Sequence, residues 1–283
     1  MTTATDQATE LRKIMSDTVD PTPSIPKAIA IASGKGGVGK TNIAVNLAIC
    51  FARLEIGVIL VDADLGLANA DLLCNITAAN NLSHVVQGKK SLKDVMVETS
   101  YGFQLIPGAS GLNQMDAVTQ WDRDMLIREL SQIEESGEVV LVDTGAGISA
   151  NVRSFAAAAE STLVVTTPEP TAMTDAYALV KTIHQVHPAT EFHLVVNMAS
   201  GESEGRRVYN RIKNVCKRFL DVTLLDAGYI ARCPEVTDSV RTREPFVVSS
   251  PDCQASVCLS QLAIYFKDKI AQVKHGENLR RVV

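Results

Sequence analysis

The chain has 283 residues, 46% of them hydrophobic and 21% charged, which is enough to bury one large core and is near the upper size of a single α/β domain. A net charge of −5 argues against the broadly basic surface of non-specific nucleic-acid binders, so any DNA contact has to be local and no direct nucleic-acid partner is expected. No apolar signal core opens the chain and every apolar run stops short of the ~20 residues a membrane span needs, which argues against secretion and membrane insertion.

The first 26 residues stand apart as a tail and linker. Pro21, Pro23 and Pro26 block regular structure, while Ala8, Leu11 and Met15 give a helix over about residues 6–15 one narrow apolar face. From Lys27 onward short apolar runs alternate with helical periodicity, the pattern of a mostly parallel sheet flanked by helices on both faces. Strands are predicted at Ala28–Ala32, Val58–Asp62, Phe103–Ile106, Val139–Asp143, Thr162–Thr167, His193–Asn197 and Leu225–Ile230. Helices are predicted at about Thr41–Leu54, Asp122–Ile133, Thr171–Val186, Glu204–Phe219 and Cys253–Val273. The α/β domain thus spans residues 27–274, with a short tail at 275–283. Six cysteines form no Cys-x-x-Cys pair and read as reduced, mostly packed thiols, as in a cytosolic chain. His184 and His187 share a helix face without a partner at metal spacing and read as surface residues.

The chemistry concentrates where the first strand meets the first helix. Gly34-Lys35-Gly36-Gly37-Val38-Gly39-Lys40-Thr41 is a P-loop in its required context, strand before and helix after. Its glycines let backbone N–H groups wrap around phosphate oxygens, and the helix start adds partial positive charge. Lys40 reaches toward the β- and γ-phosphates, the Thr41 hydroxyl suits Mg²⁺, and Asn42 opens the helix beside the nucleotide. Lys35 is an additional ammonium in the same loop. Two such charges about 4 Å apart repel by ~4 kcal/mol at an effective dielectric near 20 unless an anion separates them. Lys35 is therefore either a solvated surface lysine or a residue that crosses a two-fold interface to a facing subunit's ATP, as an arginine finger does.

Two acidic segments end predicted strands, where open α/β sheets bind ligands: Asp62-Ala63-Asp64-Leu65-Gly66 and Asp143-Thr144-Gly145-Ala146-Gly147. Carboxylates there can hold magnesium-bound water or orient an attacking water. Asn197 ends another strand, and a side-chain amide can read both the donor and the acceptor of an adenine edge.

The segment Lys35 to Thr41 resembles the Lys-Gly-Gly-x-Gly-Lys-Thr pattern of the deviant Walker A ATPases of the MinD/ParA family. The resemblance implies that Lys35 completes the site in trans within an ATP-bound dimer, that Asp64 positions the hydrolytic water, and that Asp62 and Asp143 support magnesium. It further implies that Asn197 recognises adenine and that Glu169 and Asp175 lie at the dimer face near the nucleotide and Lys35. Two departures stand out: Gly145 occupies a position where relatives carry proline, and Ile230-Ala231-Arg232-Cys233 replaces Ile-Pro-x-Asp.

Three longer segments are similar to the FlhG/FleN regulators of flagellar number and placement: residues 62–71, 107–111 and 169–177. The tail Asp6-Gln7-Ala8-Thr9-Glu10-Leu11-Arg12 resembles the activator helix of that branch. This implies a partner GTPase of the FlhF type, with Gln7 entering its catalytic site, Ala8 and Leu11 packing and Arg12 completing the motif. A flagellar master transcription activator of the FleQ or FlrA type and flagellar C-ring proteins are further implied partners. Leu259, Leu262, Phe266, Ile270 and Val273 form one stripe, read as a last core helix with a membrane-surface helix as the alternative. Arg280 to Val283 make only a short anchor, compatible with weak or transient membrane association. A MinD- or ParA-type positioning ATPase would have a longer basic C-terminus or a basic face, and a nitrogenase-like electron carrier would have bridging cysteines; none is evident in the sequence.

Overall fold

The computed structural model describes residues 25–64, 66, 68–109, 119–133 and 139–280. Eight strands form one sheet in the order β3-β4-β2-β5-β1-β6-β7-β8. They are β1 (Ile25–Ser33), β2 (Val58–Ala63), β3 (Val97–Glu98), β4 (Gln104–Ile106), β5 (Val139–Ala146), β6 (Ala159–Thr166), β7 (Glu191–Ala199) and β8 (Leu224–Ala231). Every neighbouring pair is parallel except β3 with β4. Each predicted strand is present; the two-residue β3, too short to leave a periodic signal, was not predicted.

Burial on both sides of the sheet follows from the two-residue period of β1. Ala28, Ala30 and Ala32 face one core, and Ile29 and Ile31 face the other. After a first helix on the other side, three short helices, α2 (Ala70–Leu73), α3 (Leu82–Val86) and α4 (Leu92–Val95), lead from β2 to β3, and the alanine side is covered by α5 (Gln120–Gln132), α6 (Ala150–Ala158), α7 (Pro170–Val186) and α8 (Glu202–Leu220), through residues such as Leu126, Phe155, Leu179 and Ile212. The isoleucine side is covered by α1 (Lys40–Arg53) and by a 27-residue helix, Gln254–Arg280, through Leu47, Phe51, Leu259, Leu262 and Phe266. The stripe on that last helix is thus core packing as far as Ile270. The helix continues to Arg280 rather than ending near Val273, and side chains from Val273 onward lie outside the described residues.

Two helices of nine residues escaped the periodicity reading. The alanine run of Ala150–Ala158 passes straight into β6, so helix and strand blur, although Ser149 accepting from the Val152 N–H is a start signal. Pro234–Thr242 likewise opens with a proline in its first turn. Among the described residues no helix is long and apolar enough to cross a membrane.

Candidate functional site

β1 lies between β5 and β6, and the β1-to-β2 and β5-to-β6 connections run in opposite directions across the sheet, so the loop after β1 opens at the crevice where such sheets bind ligands. That loop is Gly34 to Lys40. Gly37 and Gly39 have φ of 78° and 89°, a region an L side chain resists. Gly39 is also the N-cap of α1, and a Cβ there would press on the Asn197 amide at 2.5 Å. At Gly34 a Cβ would overlap the backbone carbonyl of Asp175, because α7 crosses directly over the loop. The loop is thus a cradle held open by missing side chains, with Lys40 only 7% exposed at its end.

Ser33 Oγ donates to the Lys35 carbonyl at 2.7 Å and steadies the turn. The Lys35 ammonium reaches the start of α7, donating to Glu169 Oε2 at 2.7 Å and Thr171 Oγ1 at 3.1 Å. The Lys35 hydrogen bond and charge hold the Glu169 carboxyl below its ordinary range. The predicted pair Lys35 and Glu169 therefore meets within one chain; Thr171, seen in the sequence only as a helix-start residue, joins it.

Asp62 and Asp143 are cross-strand partners on β2 and β5, both essentially buried. Asp62 is satisfied: Oδ2 accepts from the N–H groups of Asn69 at 2.9 Å and Ala70 at 3.0 Å, and Oδ1 from Asp64 N–H at 3.2 Å. Neither Asp143 oxygen accepts a hydrogen bond among the described residues. Burial, then the neighbouring Asp62 charge, pushes the Asp143 carboxyl up; the nearby Thr41 hydroxyl and Lys40 ammonium oppose that shift. Burial likewise raises Asp62, against its three backbone donors. Two buried carboxylates side by side, one of them with unfilled acceptor capacity, outweigh the single Lys40 ammonium, and a hydrated divalent cation fits that need. Among the described residues no group of three or more His, Cys, Asp or Glu converges as an all-protein metal cage.

Asp64 sits one residue beyond β2, with Gly66 N–H donating to it at 3.3 Å. A Cβ on Gly145 would lie 3.5 Å from the Asp64 carboxylate, an ordinary contact distance, so the two acidic segments face each other. Gly147, at φ 89°, donates its N–H to the Ser33 carbonyl at 2.9 Å, tying the second segment to the foot of the loop. Gly108 shows a similar economy, because a Cβ there would meet the Asp62 carbonyl at 2.5 Å.

On the other side of the loop a cavity of about 310 Å³ is lined by Asn42, Ile43, Asn197, Ile230, Cys233 and Phe246, among others. Asn197 is at its wall, but its amide is engaged: Nδ2 donates to the Val38 carbonyl at 2.7 Å, and Oδ1 accepts from Met198 N–H at 2.9 Å. Asn197 therefore braces the loop, and only part of its hydrogen-bonding capacity faces the cavity. Phe246 and Val236, which the sequence did not single out, supply apolar walls, and Ile230 to Cys233 do line the cavity despite the altered motif. The described residues thus bring together all predicted positions of the loop, Asp62, Asp64, Asp143, Glu169 and Asn197. Gln7, Ala8, Leu11 and Arg12 lie outside the described residues.

Comparison with known proteins agrees with this architecture. A family model described as an AAA domain matches residues 26–196. The chain is 40% identical over 237 residues to the antiactivator FleN of Pseudomonas aeruginosa, covering 84% of this chain and 85% of that one. It is 36% identical over 239 residues to the flagellum site-determining protein YlxH of Helicobacter pylori, covering 84% and 80%. Among solved structures, the septum site-determining protein MinD of Pyrococcus horikoshii, complexed with Mg-ADP, superposes with a TM-score of 0.74 at 23% identity, covering 88% of this chain and 99% of that one. A loop with two lysines, facing acidic segments and this degree of relatedness leave one assignment: the chain is a P-loop ATPase of the MinD/ParA family and belongs to its FleN/FlhG branch.

Proposed function

We propose that the protein is a dimerisation switch that controls flagellar number and placement. The carrying observation is Lys35, a residue of the phosphate cradle itself whose ammonium is parked on Glu169 at 2.7 Å in the single chain. In the dimer Lys35 exchanges this carboxylate for the triphosphate of the facing subunit, so nucleotide holds the pair together. Within each subunit Lys40 and the loop N–H groups bind and orient the phosphates. Thr41, through its hydroxyl, and the buried carboxylates Asp62 and Asp143 would hold magnesium. When bound, magnesium supplies the positive charge that offsets the phosphates. Asp64 Oδ atoms accept a hydrogen bond from the attacking water and set its line of approach. Asn42 and Asn197 border the base, with Asn197 acting chiefly on the loop. Hydrolysis is slow, because the lifetime of the dimer is the output.

The likeness to FleN and YlxH supports a flagellar role, in which the N-terminal segment stimulates an FlhF-type GTPase and the dimer acts on a master transcription activator. C-ring proteins are further partners of this reading. A MinD-type role in division is the competing one, supported by 36% identity over 152 residues to MinD of Thermotoga maritima.

Two measurements test these readings. In light scattering with Mg-ATP, the Asp64→Ala protein doubles in mass and the Lys35→Ala protein stays single while still binding nucleotide; a wild-type switch that never dimerises removes the trans role of Lys35. In GTP turnover, the wild type accelerates the FlhF GTPase and Gln7→Ala abolishes at least about nine-tenths of that stimulation, a loss worth ~1.4 kcal/mol or more. Equal stimulation by both proteins excludes Gln7 as the activating residue.

A further inference from the structure

Two of the six cysteines stand apart from the rest. Cys50, Cys74, Cys216 and Cys258 are buried, whereas Cys233 and Cys253 are each partly exposed. The fold brings these two to one corner of the molecule. Cys233 is the N-cap of the helix Pro234–Thr242, and Cys253 directly precedes the helix Gln254–Arg280. At the start of that long helix the Ala255 N–H donates to the Cys233 sulfur, and the Cys233 and Cys253 thiols lie within interaction range of each other. Both side chains pack against the isoleucine-side core.

Each thiol is also tied to the cavity beside the phosphate loop, by a different route. Cys233 lines the cavity itself, with Ala231, Arg232, Val236 and Thr237 on the same wall. Cys253 stands behind that wall. Its sulfur is 3.2 Å from the Ser256 hydroxyl, which donates to the Ser250 carbonyl at 2.8 Å and lies 3.3 Å from the carbonyl of Phe246, the apolar wall. Phe246 falls in the segment between the two cysteines. Packing alone accounts for buried thiols such as Cys216 and Cys258, which are shielded from reagents. A neighbouring pair of partly exposed thiols is open to oxidation.

We propose that Cys233 and Cys253 form a reversible disulfide that opens the wall of the nucleotide cavity and weakens nucleotide binding. The proposal rests on the reading of this cavity as the site of the base. The oxidant is a peroxide. Burial pushes the Cys233 thiol up, so the first attack falls to Cys253 and Cys233 resolves it. The Cys253 thiolate sulfur attacks one peroxide oxygen, the O–O bond breaks, and the hydroxide released takes up the thiol proton as water. Cys233 then attacks the resulting sulfenic acid: the S–S bond forms, the S–O bond breaks, and the leaving hydroxide takes the Cys233 proton as a second water. The two sulfurs lose two electrons in all, and one hydrogen peroxide becomes two waters.

A disulfide holds its sulfurs about 2.05 Å apart, far closer than two thiols in contact. Cys233 lines the cavity and Cys253 does not, so closing that gap draws the Cys233 wall away from the base. The bond also closes the segment carrying Val236, Thr237 and Phe246 into one loop, and the wall returns only when an external thiol reduces it.

The test compares the full chain reduced with dithiothreitol and the same protein treated with a small excess of hydrogen peroxide. Non-reducing peptide mapping by mass spectrometry is expected to show a Cys233–Cys253 cross-linked peptide after peroxide, removed again by dithiothreitol. In titration calorimetry with Mg-ADP, oxidation is expected to raise Kd about fourfold or more, the worth of contacts equivalent to one buried CH₂, and dithiothreitol to restore it. Cys253→Ser binds as the reduced wild type does and no longer responds to peroxide; Cys253→Ala carries the same comparison should serine disturb the helix start. The proposal is overturned if the map contains no such peptide, or if Cys253→Ser loses affinity with peroxide as the wild type does. It is equally overturned if the cross-linked protein binds Mg-ADP as tightly as the reduced one, an outcome that leaves the nucleotide cavity standing. Failure of the reduced wild type to bind Mg-ADP removes the reading of the cavity, and the proposal with it.

Discussion

Asp143 is the residue at which folding and function pull hardest against each other. Its carboxylate is fully buried with no hydrogen bond within 3.5 Å among the described residues, and burial with the Asp62 charge outweighs the nearby Thr41 hydroxyl and Lys40 ammonium, so its ionised form is costly. The sign follows from the raised value: the folded state holds the proton more tightly than the unfolded chain, so stability is greatest in acid and declines as pH rises above the ordinary carboxylate range near 4. Asp143→Asn removes that decline. Urea denaturation of nucleotide-free protein at pH 8 is expected to show the variant about 1–3 kcal/mol more stable than wild type, the cost of an uncompensated buried polar group. Mg-ADP narrows the gap by stabilising wild type more than the variant. A variant less stable than wild type at pH 8 without nucleotide means that the carboxylate is already compensated inside the protein.

At the scale of elements, α1 is held at its nucleotide end by loop geometry and along its length by a polar tie. Asn46 is fully buried, accepts from Val247 N–H at 3.0 Å, and donates to the Asn42 carbonyl at 2.8 Å. The first bond joins α1 to the segment Phe246–Ser249, and Phe246 is a wall of the cavity beside the loop. Asn46→Ala leaves the Val247 donor unsatisfied and is expected to cost about 2–3 kcal/mol. It should also weaken ADP binding several-fold, which titration calorimetry reads directly; a variant with wild-type affinity would show that Phe246 needs no support from Asn46. The loop and the acidic segments were legible in the sequence because each is a short run whose spacing carries the chemistry. Asn46, Gly108 and Thr171 were not, because each acts on a residue distant in the chain and its local context is that of any helix or turn.

For the whole molecule, the end of the sheet opposite the nucleotide contains its own titratable group. His193 on β7 is 1% exposed, with Nδ1 at 2.8 Å from the Tyr265 hydroxyl and Nε2 at 2.9 Å from Glu191, and it packs against Phe266. These contacts join the last long helix to the sheet. Burial, which outweighs the opposing Glu191 charge, holds His193 below its ordinary value, so the folded state keeps it neutral. As pH falls below about 6.5 the unfolded chain gains the proton first, and this contribution to stability is lost. It runs opposite to the Asp143 effect, so the experiment belongs in the Asp143→Asn background. There the urea midpoint is expected to drop between pH 7 and pH 5, and His193→Gln should flatten that drop; an unchanged profile would remove His193 as its source.

The sequence by itself determined the fold class, the strand series, the phosphate loop and the carboxylates flanking it, since all follow from local periodicity or from contiguous motifs. Its cysteine spacing argued against thiol chemistry, yet spacing along the chain says nothing of which sulfurs the fold brings together. Only the tertiary structure decided that Lys35 rests on Glu169, that Asn197 braces the loop, and that Cys233 and Cys253 meet beside the cavity. The physical reason is the same in each case: these arrangements depend on which face of an element is buried and on what the sheet brings beside it, and neither is written in any single stretch of chain.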